Sequence, residues 1–167
     1  MELIDAPLRS HPDVLEVRWD IYAKVKNWEA CLDIGKAMVK LDSGRFTGWI
    51  NRSFALHELK RTQEACDQLH EGLYRFRDES LIWYNLACYA CVLGDKARAR
   101  KMLDKAIELG GDKVKLQALD DPDLQGVWVS GGIKTATPAQ VLMRGSHSLA
   151  LLLKRRRVLP QGMIANG

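Results

Sequence analysis

Apolar residues recur every three or four positions along most of residues 12–119, which is the spacing of amphipathic helices. The apolar stretches are short, and polar or glycine-containing breaks separate them. The breaks fall at residues 26–27, 42–44, 60–62, 77–80, 94–95 and 110–112. The pattern therefore predicts six helices joined by tight turns.

The pattern repeats with a period of 34 residues. Segment 49–56 aligns with segment 83–90, and both begin with tryptophan and carry asparagine at the third position. A fainter copy lies upstream, where Cys31 aligns with Ala65 and Ala99 as the small residue of the second helix. The sequence thus predicts three helical hairpins, at about residues 12–45, 46–79 and 80–113.

The first unit departs from the other two at two buried positions. It has Trp19 where they have a small residue, and Gly35 where they have leucine. Cores tolerate substitutions that keep the total volume roughly constant. We therefore expect the ring of Trp19 to fill the space that Gly35 leaves.

The repeated unit resembles the tetratricopeptide repeat, whose pattern is W-x2-L-G-x2-Y followed by A-x3-F at the same period. The third unit carries this pattern best, at Trp83, Leu86, Ala87, Ala90, Gly94, Ala99, Leu103 and Ala106. The resemblance spans the three units, but no unit has the closing proline, and the first unit also lacks the leading tryptophan and the small residue. It implies an all-α, right-handed α-solenoid, and a non-catalytic scaffold for protein–protein interaction.

The pattern of residues 113–119 predicts a further short helix. This helix should end before Pro122, because proline disfavours helical backbone at the residue before it. A stack of hairpins leaves its last apolar face open, and a capping element usually covers that face. We expect residues 113–128 to form this cap, with Leu124 and Trp128 packed against its helix. The helical domain then comprises residues 1–129.

Composition adds little to the fold but separates the tail from the body. The chain is 47% hydrophobic and 28% charged, as ordinary globular proteins are. Its net charge of +4 comes from residues 130–167, which hold six basic residues and no acidic one. This basic tail is predicted to be disordered. In this tail an apolar run at residues 149–153 precedes four basic residues, so a membrane-surface anchor or a nucleic-acid contact is also possible. Residues 143–147 resemble an affinity tag.

The sequence predicts a soluble, cytoplasmic protein. No stretch approaches the 18 or more consecutive apolar residues of a membrane-spanning helix, and acidic residues occur where a secretory signal would be basic. The four cysteines lie in apolar helical contexts, which favours reduced, buried thiols over disulfides. Residues 1–129 hold more acidic than basic residues, so we do not expect this helical domain to bind nucleic acid.

Stacked hairpins expose the first helix of each unit on a concave face, where a partner would bind. The register places a set of polar and aromatic side chains there: Asp13, Glu16, Asp20, Asn51, Phe54, His57, Tyr84, Asn85 and Cys88. The first unit contributes acids, so we expect a protein or peptide partner with basic and apolar residues. The same residues would also be expected on a helix face that is exposed to solvent and has no binding role.

Two other functions compete with peptide binding. Cys88 and Cys91 have the C-x2-C spacing and, with His57, could form a metal site or a thiol-dependent activity. We favour no metal and no cofactor, because a structural zinc needs four ligands and no second C-x2-C exists. The sequence also lacks the usual catalytic motifs, so we expect no enzyme activity. The open ends of the stack could instead pair with a second copy.

Overall fold

The structure is a computed structural model, and it describes residues 10–129. These residues form α1 (Pro12–Lys24), α2 (Trp28–Leu41), α3 (Phe46–Glu58), α4 (Thr62–Leu73), α5 (Ser80–Val92), α6 (Lys96–Asp120), a 3-10 turn (Pro122–Leu124) and α7 (Gln125–Val129). Each helix packs on its neighbours in sequence, and α3 also contacts α5. The predicted all-α solenoid of three hairpins is confirmed. The predictions for the basic tail fall outside these residues.

The turn inside each hairpin uses the same backbone conformation. Lys26, Lys60 and Gly94 have φ values of 56°, 65° and 89°, and they are 34 positions apart. A residue with positive φ commonly ends a helix. The side chains of Asn27 and Asp95 then accept the backbone N–H three residues on, which starts the second helix of the first and third hairpins. The period therefore governs the turns as well as the helices.

The capping helix follows the first part of α6 across a kink at Gly111, where φ is 68° and ψ is −161°, values outside the helical region. The break predicted at residues 110–112 and the short helix predicted after it are therefore both present. Beyond the kink, Val114 and Ala118 are buried, so this part of α6 covers the end of the stack as expected.

An aromatic cluster fills the interface between the first two hairpins. The ring of Phe54 lies edge-on to the rings of Trp19 and Trp28, at centroid distances of 6.2 and 5.7 Å. Trp19 and Phe54 are completely buried. Such pairs stabilise a core beyond the area that they bury.

Gly35 marks the closest approach of α2 to α3. A Cβ atom at this position would lie 2.7 Å from Cα and 2.8 Å from N of Arg52. The space beside Gly35 is therefore occupied by the backbone of α3. The expectation that the Trp19 ring fills this space is wrong, because the helices approach each other where the side chain is missing.

The helices within residues 10–129 give no candidate for a membrane span. None of them combines sufficient length with sufficient apolar character.

Candidate functional site

The three predicted acidic residues of the first hairpin lie on α1, and two of them bond to residues at the start of α3. Asp13 accepts a hydrogen bond from Arg45 at 2.9 Å, which lowers the pKa of Asp13. Glu16 accepts one from the Thr47 hydroxyl at 2.6 Å. Asp20 is half-buried and adds to the raised pKa of a neighbouring cysteine. The first hairpin thus carries acidic residues on α1, two of which are tied to the start of α3.

Three residues predicted to line the concave face are buried instead. Phe54 lies within the aromatic cluster, and Asn51 is fully buried with its amide 3.5 Å from the sulfur of Met38. The Asn85 amide donates to the carbonyl of Leu81, one turn back in its own helix, at 2.7 Å. The exposure expected from the register is therefore wrong for all three, because contacts within the chain cover them.

The remaining predicted residues, on α3 and α5, are covered by a stretch of the chain itself. Residues 121–129, which we call the closing segment, lie against them. The Tyr84 hydroxyl donates to Oδ2 of Asp121 at 2.6 Å, and the thiol of Cys88 lies 3.9 Å from the same oxygen. Nε2 of His57 lies 3.3 Å from Oδ2 of Asp123. Three of the nine predicted residues thus meet at one place, around two carboxylates of the closing segment.

Burial controls the protonation of Tyr84 in this cluster. It raises the pKa of Tyr84 above its usual range, and the carboxylate of Asp121 raises it further. The hydroxyl therefore keeps its proton and serves as a donor. Asp121 is 1% exposed, so its carboxylate depends on such donors.

The rest of the closing segment packs as the sequence predicts. Leu124 is completely buried, and the indole N–H of Trp128 donates to the carbonyl of Ala118 in α6 at 2.8 Å. The guanidinium of Arg100 stacks on the Trp128 ring at 5.6 Å. The backbone at Gly126 passes over Cys91, where an added Cβ would be 3.1 Å from Sγ.

Buried polar contacts that join α3 to α4 and to α5 were not predicted from the sequence. The hydroxyls of Ser53 and Tyr89 are 3.2 Å apart, and Nδ1 of His57 lies 3.1 Å from the Thr62 hydroxyl. The rings of His57 and Tyr89 are 5.1 Å apart. The available signal was Ser53, a polar residue at a position where the third hairpin has Ala87.

The C-x2-C spacing of Cys88 and Cys91 was the alternative site that the sequence allowed. No group of three or more potential ligands suitable for a metal occurs within residues 10–129. Burial raises the pKa of Cys88 and Cys91, whereas a reactive thiol has a lowered pKa. His57 instead faces Thr62 and Asp123.

We expect one of the four cysteines to react with a disulfide reagent in the folded protein at pH 8. Cys91 is half-buried, whereas Cys31, Cys66 and Cys88 are buried. Its raised pKa leaves little thiolate at pH 8, so the reaction should be slower than that of free cysteine and should accelerate as the pH rises. Absorbance of the released thiolate measures this, and Cys91→Ser should abolish the native signal. Two fast thiols at neutral pH would instead support a redox pair.

The fold places the protein in a class, that of helical-repeat proteins with tetratricopeptide-like hairpins. A solved structure similar to it is the type III secretion chaperone SycD of Yersinia enterocolitica, in complex with a peptide of the translocator YopD. The TM-score is 0.61 and the identity 16%, over 78% of this chain and 99% of that chain. No family model and no curated protein matches the sequence. The likeness establishes the fold.

Proposed function

We propose that this protein is a non-catalytic scaffold that binds a segment of a partner polypeptide along the inner faces of α1, α3 and α5. The partner lies across the first helices of the three hairpins. Its side chains then meet the surfaces around Asp20, His57 and Tyr84.

One observation carries this proposal: the inner face already holds a length of polypeptide. The closing segment lies on α5 through Asp121 and reaches α3 through Asp123. The side chains that hold it are those that the register assigned to partner binding. A surface that binds a peptide of its own chain through specific side chains has the chemistry needed to bind one from another protein.

The acidic face of α1 indicates the chemistry of the partner at that end of the groove. Asp13 and Glu16 already bond to Arg45 and Thr47, but the three carboxylates together favour a basic residue beside apolar ones. The binding of a translocator peptide by SycD, a protein of similar fold, supports this type of ligand.

Self-association stays a prediction, and one described surface favours it. Val17 and Ile21 on α1, and Val25 directly after it, are 58%, 56% and 70% exposed. Their spacing of four residues places them on one side of the helix. Pairing of two copies at the open end of the stack would use this surface.

The proposal is tested by selecting twelve-residue peptides from a random displayed library on the full-length protein. We expect peptides with dissociation constants in the micromolar range, some with a basic residue next to apolar ones. Asp20→Lys should weaken these peptides about tenfold, because it replaces a favourable charge with a repulsive one, as isothermal titration calorimetry would measure.

Asp33→Lys is the matched control for this charge reversal. Asp33 is exposed on α2, the second helix of the same hairpin, where it pairs with Lys36 at 3.7 Å. Its reversal should leave peptide affinity unchanged. The proposal fails if no selected peptide distinguishes the Asp20 variant from the Asp33 variant.

A further inference from the structure

The closing segment contacts the inner face through three groups that are close together in sequence. The carboxylate of Asp121 meets Tyr84 and Cys88, and the carboxylate of Asp123 meets His57. Leu124, the next residue, is completely buried. The contact is therefore made by two acidic residues separated by one position and followed directly by a leucine.

This contact extends beyond what capping the stack requires. A cap has to cover only the open side of the last hairpin, which α5 and α6 form. Asp123 instead reaches His57, which belongs to the second hairpin. The closing segment thus crosses from the third hairpin to the second, as a ligand of a concave face would.

The acidic motif has its own local structure. Oδ1 of Asp121 accepts the backbone N–H of Asp123 at 3.0 Å, and the carbonyl of Asp121 accepts the N–H of Leu124 at 3.1 Å. Pro122 between them has a restricted φ. Since these bonds lie within four residues, a short peptide can adopt the same shape without the rest of the chain.

The groups beneath the segment favour a carboxylate. If the segment leaves, the Tyr84 hydroxyl and the His57 ring lose the carboxylates that they now face and meet water instead. A carboxylate supplied by a peptide would restore the charge-assisted hydrogen bond of Tyr84.

We propose that the α5 end of the groove is a site for acidic–apolar peptides, and that residues 121–124 occupy it as an internal ligand. The partner segment that uses this end carries two acidic residues one position apart, followed by an apolar residue. It binds by displacing the closing segment. This inference rests on the proposed function and specifies the ligand at the end of the groove opposite α1.

Displacement makes the apparent affinity of the partner depend on the closing segment. A tethered ligand competes at a high effective concentration, so the open form is a minor population. The apparent dissociation constant of a competing peptide is its intrinsic value divided by the fraction of the protein in the open form. Weakening the internal contact must therefore strengthen the binding of the added peptide.

The test uses a fluorescein-labelled peptide of residues 119–129 and the full-length protein, with fluorescence anisotropy as the readout. We expect the Asp121→Asn, Asp123→Asn double variant to bind this peptide at least tenfold more tightly than the unchanged protein does. A peptide with both aspartates replaced by asparagine should bind the double variant at least tenfold more weakly. Asp112→Asn, an exposed substitution in α6, is the control and should have no effect.

Circular dichroism establishes whether the double variant folds. If it does not, Asp123→Asn alone serves, because Asp123 is 28% exposed in its side chain and its loss is mild; at least threefold tighter binding is then expected. Equal affinity for variant and unchanged protein, or no binding to either, overturns the inference and makes the segment a fixed cap. Library peptides that still depend on Asp20 would leave the proposed function standing in that case.

Discussion

Replacing Trp19 with alanine is expected to lower the free energy of unfolding by about 4 kcal/mol. Trp19 is completely buried, and its ring packs edge-on against Phe54 between the first two hairpins. The substitution removes a large apolar surface and leaves a cavity that helices on both sides cannot fill. Urea unfolding followed by circular dichroism at 25 °C measures the change.

Trp83→Ala is the informative control, because Trp83 opens the best-matching repeat. It is only half-buried, and its indole N–H bonds to the carbonyl of Arg77 at the edge of the hairpin. We expect a loss of about 2 kcal/mol, half that of Trp19→Ala or less. Equal losses would contradict the central position of Trp19.

Gly35→Ala is expected to destabilise the protein by about 3 kcal/mol. In most helices this substitution is stabilising by up to about 1 kcal/mol, since alanine favours helix. Here the new methyl group would lie 2.7 Å from Cα of Arg52, a backbone atom that cannot move without shifting α3. The same unfolding measurement tests this value.

Gly44→Ala provides the comparison for the glycine substitution. Gly44 is exposed, and the nearest atom to its added methyl group is the side-chain oxygen of Asp42, which can rotate away. The change should stay within about 0.5 kcal/mol. If Gly35→Ala stabilised the protein instead, the close contact of α2 with α3 would be disproved.

The candidate site was predictable in its position but not in its exposure. The repeat register placed His57, Tyr84 and Cys88 on the first helices of their hairpins, and the structure brings these three together. Whether they face solvent depends on the closing segment, and the bond from Tyr84 to Asp121 spans 37 residues. Helical periodicity reports which side of a helix is apolar, and it carries no information about what covers that side.

The sequence by itself determined the three hairpins and their turns, because these features depend on local backbone preferences and on the 34-residue period of one hairpin. Only the tertiary structure decided that α2 meets α3 at Gly35, that Trp19 packs with Phe54, and that residues 121–129 lie on the inner face. In each of these contacts the two partners lie on different helices or segments, and no local sequence pattern specifies that they meet. They form because buried area and paired polar groups outweigh the chain entropy lost when distant segments come together.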